Sequence, residues 1–256
     1  GGGFLLTPLL KIIFGLPYPI AVGSSLLQIF LTGSLSSWKH WKQKHVDPIL
    51  GMMMALGALC GAEVGIRLMK LLDSSGTVLI NNRSLPLLDL VLTGSYLVLM
   101  ISIAVSVWKE TSTDSTGDEI AATTLSQRLS TIKLPPLLSF SRSGISSMSL
   151  WVPILLSVGV GILTGLLGVG GGFVNLPLLI YVLGVPTIIA VGTSSFQILF
   201  AAGYGAYRHA TQRHVDLIVV LFLTLGAFLG VQLGVSATRL FGGKKIRCHY
   251  ASWWCF

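Results

Sequence analysis

The chain contains one of its own segments twice. Residues 1–71 align without a gap onto residues 170–240. GGGFLLTPLL faces GGGFVNLPLL, PIAVGSSLLQI faces IIAVGTSSFQI, KHWKQKHVDPI faces RHATQRHVDLI, and LGALCGAEVG faces LGAFLGVQLG. Identities fall at Phe4/Phe173, Pro8/Pro177, Pro17/Pro186, Gln28/Gln197, His45/His214 and Asp47/Asp216. Chance likeness between two apolar helices would match Leu, Val and Ala, not Gly, Pro, Gln, His and Asp. A repeat of this kind means one supersecondary unit built twice, so any fold for the chain must accommodate two copies.

The solvent around that unit follows from its composition. Hydrophobic residues make up 52% of the chain and charged residues 10%, with a mean hydropathy of +0.81. A soluble domain carries about a quarter charged residues to cover its surface. The apolar residues also come in runs long enough for lipid. Each unit reads as a glycine triplet, a short apolar segment (4–16 or 173–185) and a proline. A long apolar helix (18–38 or 187–207), a basic loop and a second long helix (48–72 or 217–241) follow. The short segment falls below the roughly 20 residues that a crossing needs. Helices at 85–108 and 150–167 complete the pattern, which predicts an all-α, polytopic membrane protein of two homologous repeats with glycine-broken helices. The expected organisation is a first repeat over 1–108, a polar cytoplasmic linker over 109–148, rich in Ser, Thr and charge, and a second repeat over 149–256. Matching the units leaves the first without its opening helix and the second without its last.

The net charge of +8 sits in short clusters between apolar runs, which fits membrane topology and not a nucleic-acid surface. The positive-inside rule places the loops of Lys39, Lys42 and Lys44, and of Arg208 and Arg213, on the cytoplasmic side together. That arrangement needs an even number of crossings between them. Cys60, Cys248 and Cys255 have neither metal-ligand nor disulfide-framework spacing. His40, His45, His209 and His214 lie in the basic loops without partners at zinc spacing, so no metal is expected. Asp47 and Asp216 stand where a helix begins and read as N-caps. The row Gly57, Gly61, Gly65, echoed by Gly226, Gly230, Gly234, reads as a close helix-packing face. No catalytic constellation is present, so neither an enzyme nor a cofactor is expected.

Two features carry chemistry. The first is Gly170-Gly171-Gly172 before Phe173, echoed by Gly1-Gly2-Gly3. Consecutive glycines weaken a helix by about 1 kcal/mol each. Within the membrane such a break persists where the backbone is packed in protein or lines a cavity. Interrupted segments at matching places in two halves point to a transporter's binding site. The second feature is Thr193 and Ser194 with Gln197, echoed by Ser24 and Ser25 with Gln28. Their hydroxyls and carboxamides can hold an anion without a fixed charge, or serve as interhelical hydrogen bonds. These twelve residues form the expected substrate site, converging near the midplane. Glu63, the deepest acid, is a candidate carrier of a coupling proton, with Arg67 four residues on placed to pair with it.

With GVGGGF before Pro177, and AVGTSSFQ before a basic loop, the chain resembles the TauE/SafE family of sulfite exporter-like permeases of prokaryotic membranes. The resemblance spans nearly everything but the linker and the last dozen or so residues. It implies about eight helices in two repeats. It also implies multi-pass insertion in a prokaryotic plasma or inner membrane and transport of sulfite, sulfonates or thiosulfate, driven by protons. The expected partners are therefore a small anion and the lipid bilayer. The competing expectation is a non-transporting receptor or assembly subunit on the same fold.

Overall fold

The computed structural model describes residues 3–74, 76–80, 83–112, 137–140, 143 and 145–230. These are mostly helical: α1 (Gly3–Phe14), α2 (Tyr18–Lys42), α3 (Pro48–Ser74), α4 (Leu87–Ser112), α5 (Trp151–Leu167), α6 (Gly172–Pro177, continuing as a π-helical stretch, Leu178–Val182), α7 (Thr187–Thr211) and α8 (Leu217–Gly230). Three of them, α2, α3 and α7, are long and apolar enough to cross a membrane.

Helix boundaries follow the prolines and the loop chemistry. Pro17 and Pro186 start α2 and α7 with extended ψ values of 142° and 137°, as a ring-locked residue without an N–H suits a helix start. Both helices are 25 residues long and run one turn beyond the expected ends. Just beyond their ends stand matched residues, Lys44 and Arg213, which adopt φ of 59° and 60°. The chain then re-enters helix at α3 and α8. Asp47 Oδ1 accepts the Leu50 N–H at 3.2 Å, and Asp216 Oδ1 accepts those of Ile218 and Val219 at 2.9 and 3.2 Å. The two aspartates are N-caps.

Two short antiparallel hairpins appear that the sequence pattern did not predict, the first in the connection before the helix expected at 85–108 and the second at the end of the expected polar linker. β1 (Thr77–Ile80) pairs with β2 (Arg83–Pro86) between α3 and α4, and β3 (Leu137–Phe140) pairs with β4 (Ile145–Ser149) ahead of α5. The second hairpin belongs to the region read as linker, and its turn residue Ser143 donates to Asp47 Oδ2 through both N and Oγ, at 3.2 and 2.8 Å.

Helices α3 and α5 run parallel along the glycine row. A Cβ on Gly57, Gly61 or Gly65 would fall on the carbonyl oxygens of Ile154, Val158 and Ile162, and one on Gly161 or Gly165 on those of Ala58 and Ala62. Only hydrogen at these positions lets the two backbones touch. The echo of this row behaves differently, because Gly226 and Gly230 meet no atom within 4 Å among the described residues. Gly234 lies outside them, as do Gly1, Gly2, Cys248 and Cys255.

Helices α2 and α7 pack antiparallel. Gly23 lies against His209 and His214, Leu26 against Gly205, Phe30 against Gly203, and Ser36 hydrogen-bonds Ser195. The start of each helix thus meets the loop that ends the other. At about 1.5 Å per residue each helix is nearly 40 Å long, so the loops of Lys42 and Arg213 lie at opposite ends of the molecule. This corrects the expectation that both are cytoplasmic. The miscount came from α5. Gly168 reaches Val22 near the start of α2. The chain then turns back, and Leu179, Leu183 and Val185 join Leu50 and Met54 in one core cluster, near where α5 began. α5 and α6 together enter and return, so three crossings separate the two loops.

Candidate anion site at the glycine turn

Between α5 and α6 the backbone holds three left-handed glycines, Gly168 (φ 69°), Gly170 (71°) and Gly171 (69°). A side chain there would strain the backbone by about 1–2 kcal/mol per residue. It would also collide, since a Cβ on Gly171 would sit 2.6 Å from Val160 Cγ1 and 2.8 Å from Thr164 Oγ1. The reversal is therefore available only to glycine. The buried phenol of Tyr96 donates to the Leu167 carbonyl, which satisfies one of the carbonyls that a helix end leaves open.

The reversal meets α1. Gly3 and Gly170 both lie against the side chain of Ile29, and a Cβ on Gly3 would come within 3.4 Å of the Val169 carbonyl oxygen. At the matched place in the other half, Gly172 lies against Ile198. The starts of α1 and α6 are thus both brought to the middle of the α2–α7 pair. A helix start presents unbonded N–H groups and the positive end of the helix dipole.

Asn175, on the first turn of α6, is fully buried and donates to Gln197 Oε1, and its own Oδ1 has no hydrogen-bond partner among the described residues. Sequence reasoning missed Asn175 because the repeat pairs it with Leu6. Its signal was an amide in an otherwise apolar segment directly after the glycines. Gln28 and Gln197 are both buried. Six residues of helix separate their levels along the antiparallel pair, which is roughly 9 Å.

The hydroxyls are placed otherwise. Thr193 Oγ1 accepts the Asp47 N–H at 3.0 Å, and Ser24 Oγ accepts the Asp216 N–H at 3.0 Å. Around each bond the fit is tight, for a Cβ on Gly192 would fall on the His45 carbonyl oxygen and one on Gly23 on that of His214. Each half thus latches its loop onto the helix start of the other. Ser25 donates to the Ala21 carbonyl at 2.5 Å and also bonds Thr7 at 2.8 Å, while Ser194 donates to the Val191 carbonyl at 3.0 Å. Ser24 and Thr193 stand near opposite ends of the α2–α7 pair, roughly 20 Å apart by helical rise. The structure therefore brings Gly3, Gly170, Gly172, Gln28 and Gln197 towards the middle, leaves Ser24 and Thr193 in the two latches, and turns Ser25 and Ser194 back onto carbonyls of their own helices.

Glu63 is fully engaged. Its carboxylate accepts from Arg67 Nε at 2.8 Å, the Tyr204 hydroxyl at 2.8 Å, and Arg208 at 3.0 and 3.1 Å. The group ties α3 to the end of α7.

The model of the sulfite exporter TauE/SafE family matches residues 1–252. A probable membrane transporter protein of Bacillus subtilis, YunE, is 27% identical over 96% of this chain and 84% of its own length. The probable membrane transporter protein MJ0441 of Methanocaldococcus jannaschii is 24% identical over 98% of this chain and 84% of its own length. A shorter stretch, 30% of the chain, is 43% identical to 31% of a probable membrane transporter protein of Xylella fastidiosa. No solved structure matches the chain. A model covering nearly every residue, over helices built for lipid, assigns the chain to the TauE/SafE family of membrane transporters.

Proposed function

We propose that this multi-pass membrane transporter carries sulfite, an organosulfonate or another sulfur-containing anion across a prokaryotic inner membrane, coupled to protons. The observation that carries the site is the meeting of the glycine segments around Ile29 beside the buried Asn175–Gln197 pair. In this reading the anion is held by backbone N–H groups at Gly3 and Gly170–Gly172 and by the amides of Gln28, Asn175 and Gln197. Such donors are fixed dipoles. A full positive charge in the same place would be costly to bury while the site is empty, and would hold the anion too tightly to release it.

The repeat supplies the mechanism. Two copies of one glycine-broken unit, inserted in opposite senses, would expose the site alternately by moving one half against the other. Both latches are closed in this structure, at Thr193–Asp47 and Ser24–Asp216, so access from either side requires one of them to open. Glu63, held by four hydrogen bonds, serves here as a brace between helices and not as the proton carrier. Orienting the Lys39–Lys44 loop and the linker towards the cytoplasm follows the positive-inside rule. The test is uptake of sulfite, thiosulfate and taurine by liposomes carrying the chain, with and without a pH gradient. Flux of at least one anion, enhanced by the gradient, is expected. No flux of any of the three would favour a non-transporting receptor or assembly subunit.

A further inference from the structure

We propose that His209 and His214 form a proton-binding pair that governs the latch between Ser24 and Asp216. The inference rests on the transporter reading only for its purpose; the proton site itself stands on the geometry. His209 is 1% exposed at the end of α7, and neither ring nitrogen makes a well-formed hydrogen bond among the described residues, although the Gly165 carbonyl of α5 lies towards the ring. A neutral imidazole has one donor and one acceptor to satisfy, and burying both unsatisfied is unfavourable. The neighbouring ring is His214, with centroids 6.0 Å apart and planes tilted by 46°. The positive φ of Arg213 and the 2.9 Å bond from His214 N to the His209 carbonyl hold the two together. At that separation two charged rings repel, so the pair takes up one proton in its first step, as coupled sites do.

The pair sits on the latch. His209 Cβ and the His214 carbonyl both press on Gly23, one residue from Ser24. The charged groups around it come from two elements. On α3, Asp73 favours a charged His214 while Lys70 disfavours it. On α7, Arg208 adjoins His209 in the sequence and is paired with Glu63. The start of α2, from Tyr18 to Leu27, offers no acid at all. Burial also lowers the affinity of His214 for a proton, which Asp73 opposes and Lys70 reinforces. A proton on the pair is therefore better accommodated towards Asp73 on α3 than against Gly23 on α2. Its uptake pulls the loop off α2 and frees Ser24 from Asp216. His40 and His45 repeat the arrangement at the other end, at 6.0 Å and 47°.

The test uses the full chain in lipid nanodiscs, its native cysteines replaced, with spin labels at Phe14 and Thr211. Distances are read at about pH 8 and about pH 5, on either side of the ordinary imidazole range. A second, longer distance population is expected at the lower pH, and it should be lost in His209→Gln and in His214→Gln. His214, only half-buried, keeps the test valid if the His209 variant does not fold. An identical distribution at both pH values in the wild type, or an unaltered shift in His214→Gln, would overturn the proposal. No substrate is involved, so absence of anion flux would count against the transport reading alone.

Discussion

The Thr193 hydroxyl accepts the backbone N–H of Asp47 at 3.0 Å, and these residues lie 146 positions apart in the sequence. Its counterpart joins Ser24 to Asp216, 192 positions apart, at the same distance. The two bonds pin each loop to the opposite half, so the first prediction concerns them. Thr193→Val removes the acceptor and leaves a buried N–H unpaired at Asp47, which is 2% exposed. The expected loss is about 1–3 kcal/mol, read as a lower unfolding midpoint in detergent and restored by Thr193→Ser. Ser24→Ala should cost less, because Asp216 is only half-buried. Equal losses for the two would contradict the burial argument.

The packing row gives a second prediction. Gly61→Leu should abolish folded protein, since its side chain would start on the Val158 carbonyl. Gly230→Leu should be tolerated on the contacts described, having no neighbour within 4 Å among those residues. Size-exclusion yield from detergent decides between them. The sequence alone predicts the same loss for both, because the repeat makes the two glycines equivalent.

That contrast shows what was legible in the sequence. Gly-Gly-Gly, the prolines and the duplicated Asp were enough to locate helix starts, the N-caps and the glycine turn, because each is a local backbone requirement. The relative insertion of the halves was not legible. It depends on α5 and α6 returning to the side they came from, which apolar length does not reveal. Nor could spacing show that Ser24 and Thr193 serve loops more than a hundred residues away, or that the amide of Asn175 faces Gln197. Those pairings are set by long-range packing.

A third prediction therefore concerns topology. Single cysteines at Lys42 and Arg213 should react oppositely with an impermeant thiol reagent in intact cells, only the one at Arg213 being labelled. Protection of both would restore the same-side arrangement and break the antiparallel account of α2 and α7.

The histidine loop gives a pH prediction. Burial holds His214 below its ordinary range, so below about pH 6.5 the unfolded chain binds the proton more readily. The sign follows: stability contributed by neutral His214 is present above that pH and declines as pH falls. Unfolding midpoints across this window should drop towards acid, and His214→Gln should make the drop shallower. A profile unchanged by the substitution would remove His214 from the account.

The central claim is that backbone at the glycine turn holds the anion. Gly171→Ala is a poor probe, because positive φ and the collision with Val160 and Thr164 would disturb the fold. Gly172→Ala is the better one. Its φ is not in the left-handed region, and its methyl would meet only the flexible end of Ile198, while still crowding the N–H groups an anion would approach. The measurement is calorimetric binding of sulfite to the purified wild type and to folded Gly172→Ala. A loss of about tenfold or more in affinity, some 1.4 kcal/mol, is predicted for the variant, and equal affinity in a folded variant would contradict the claim.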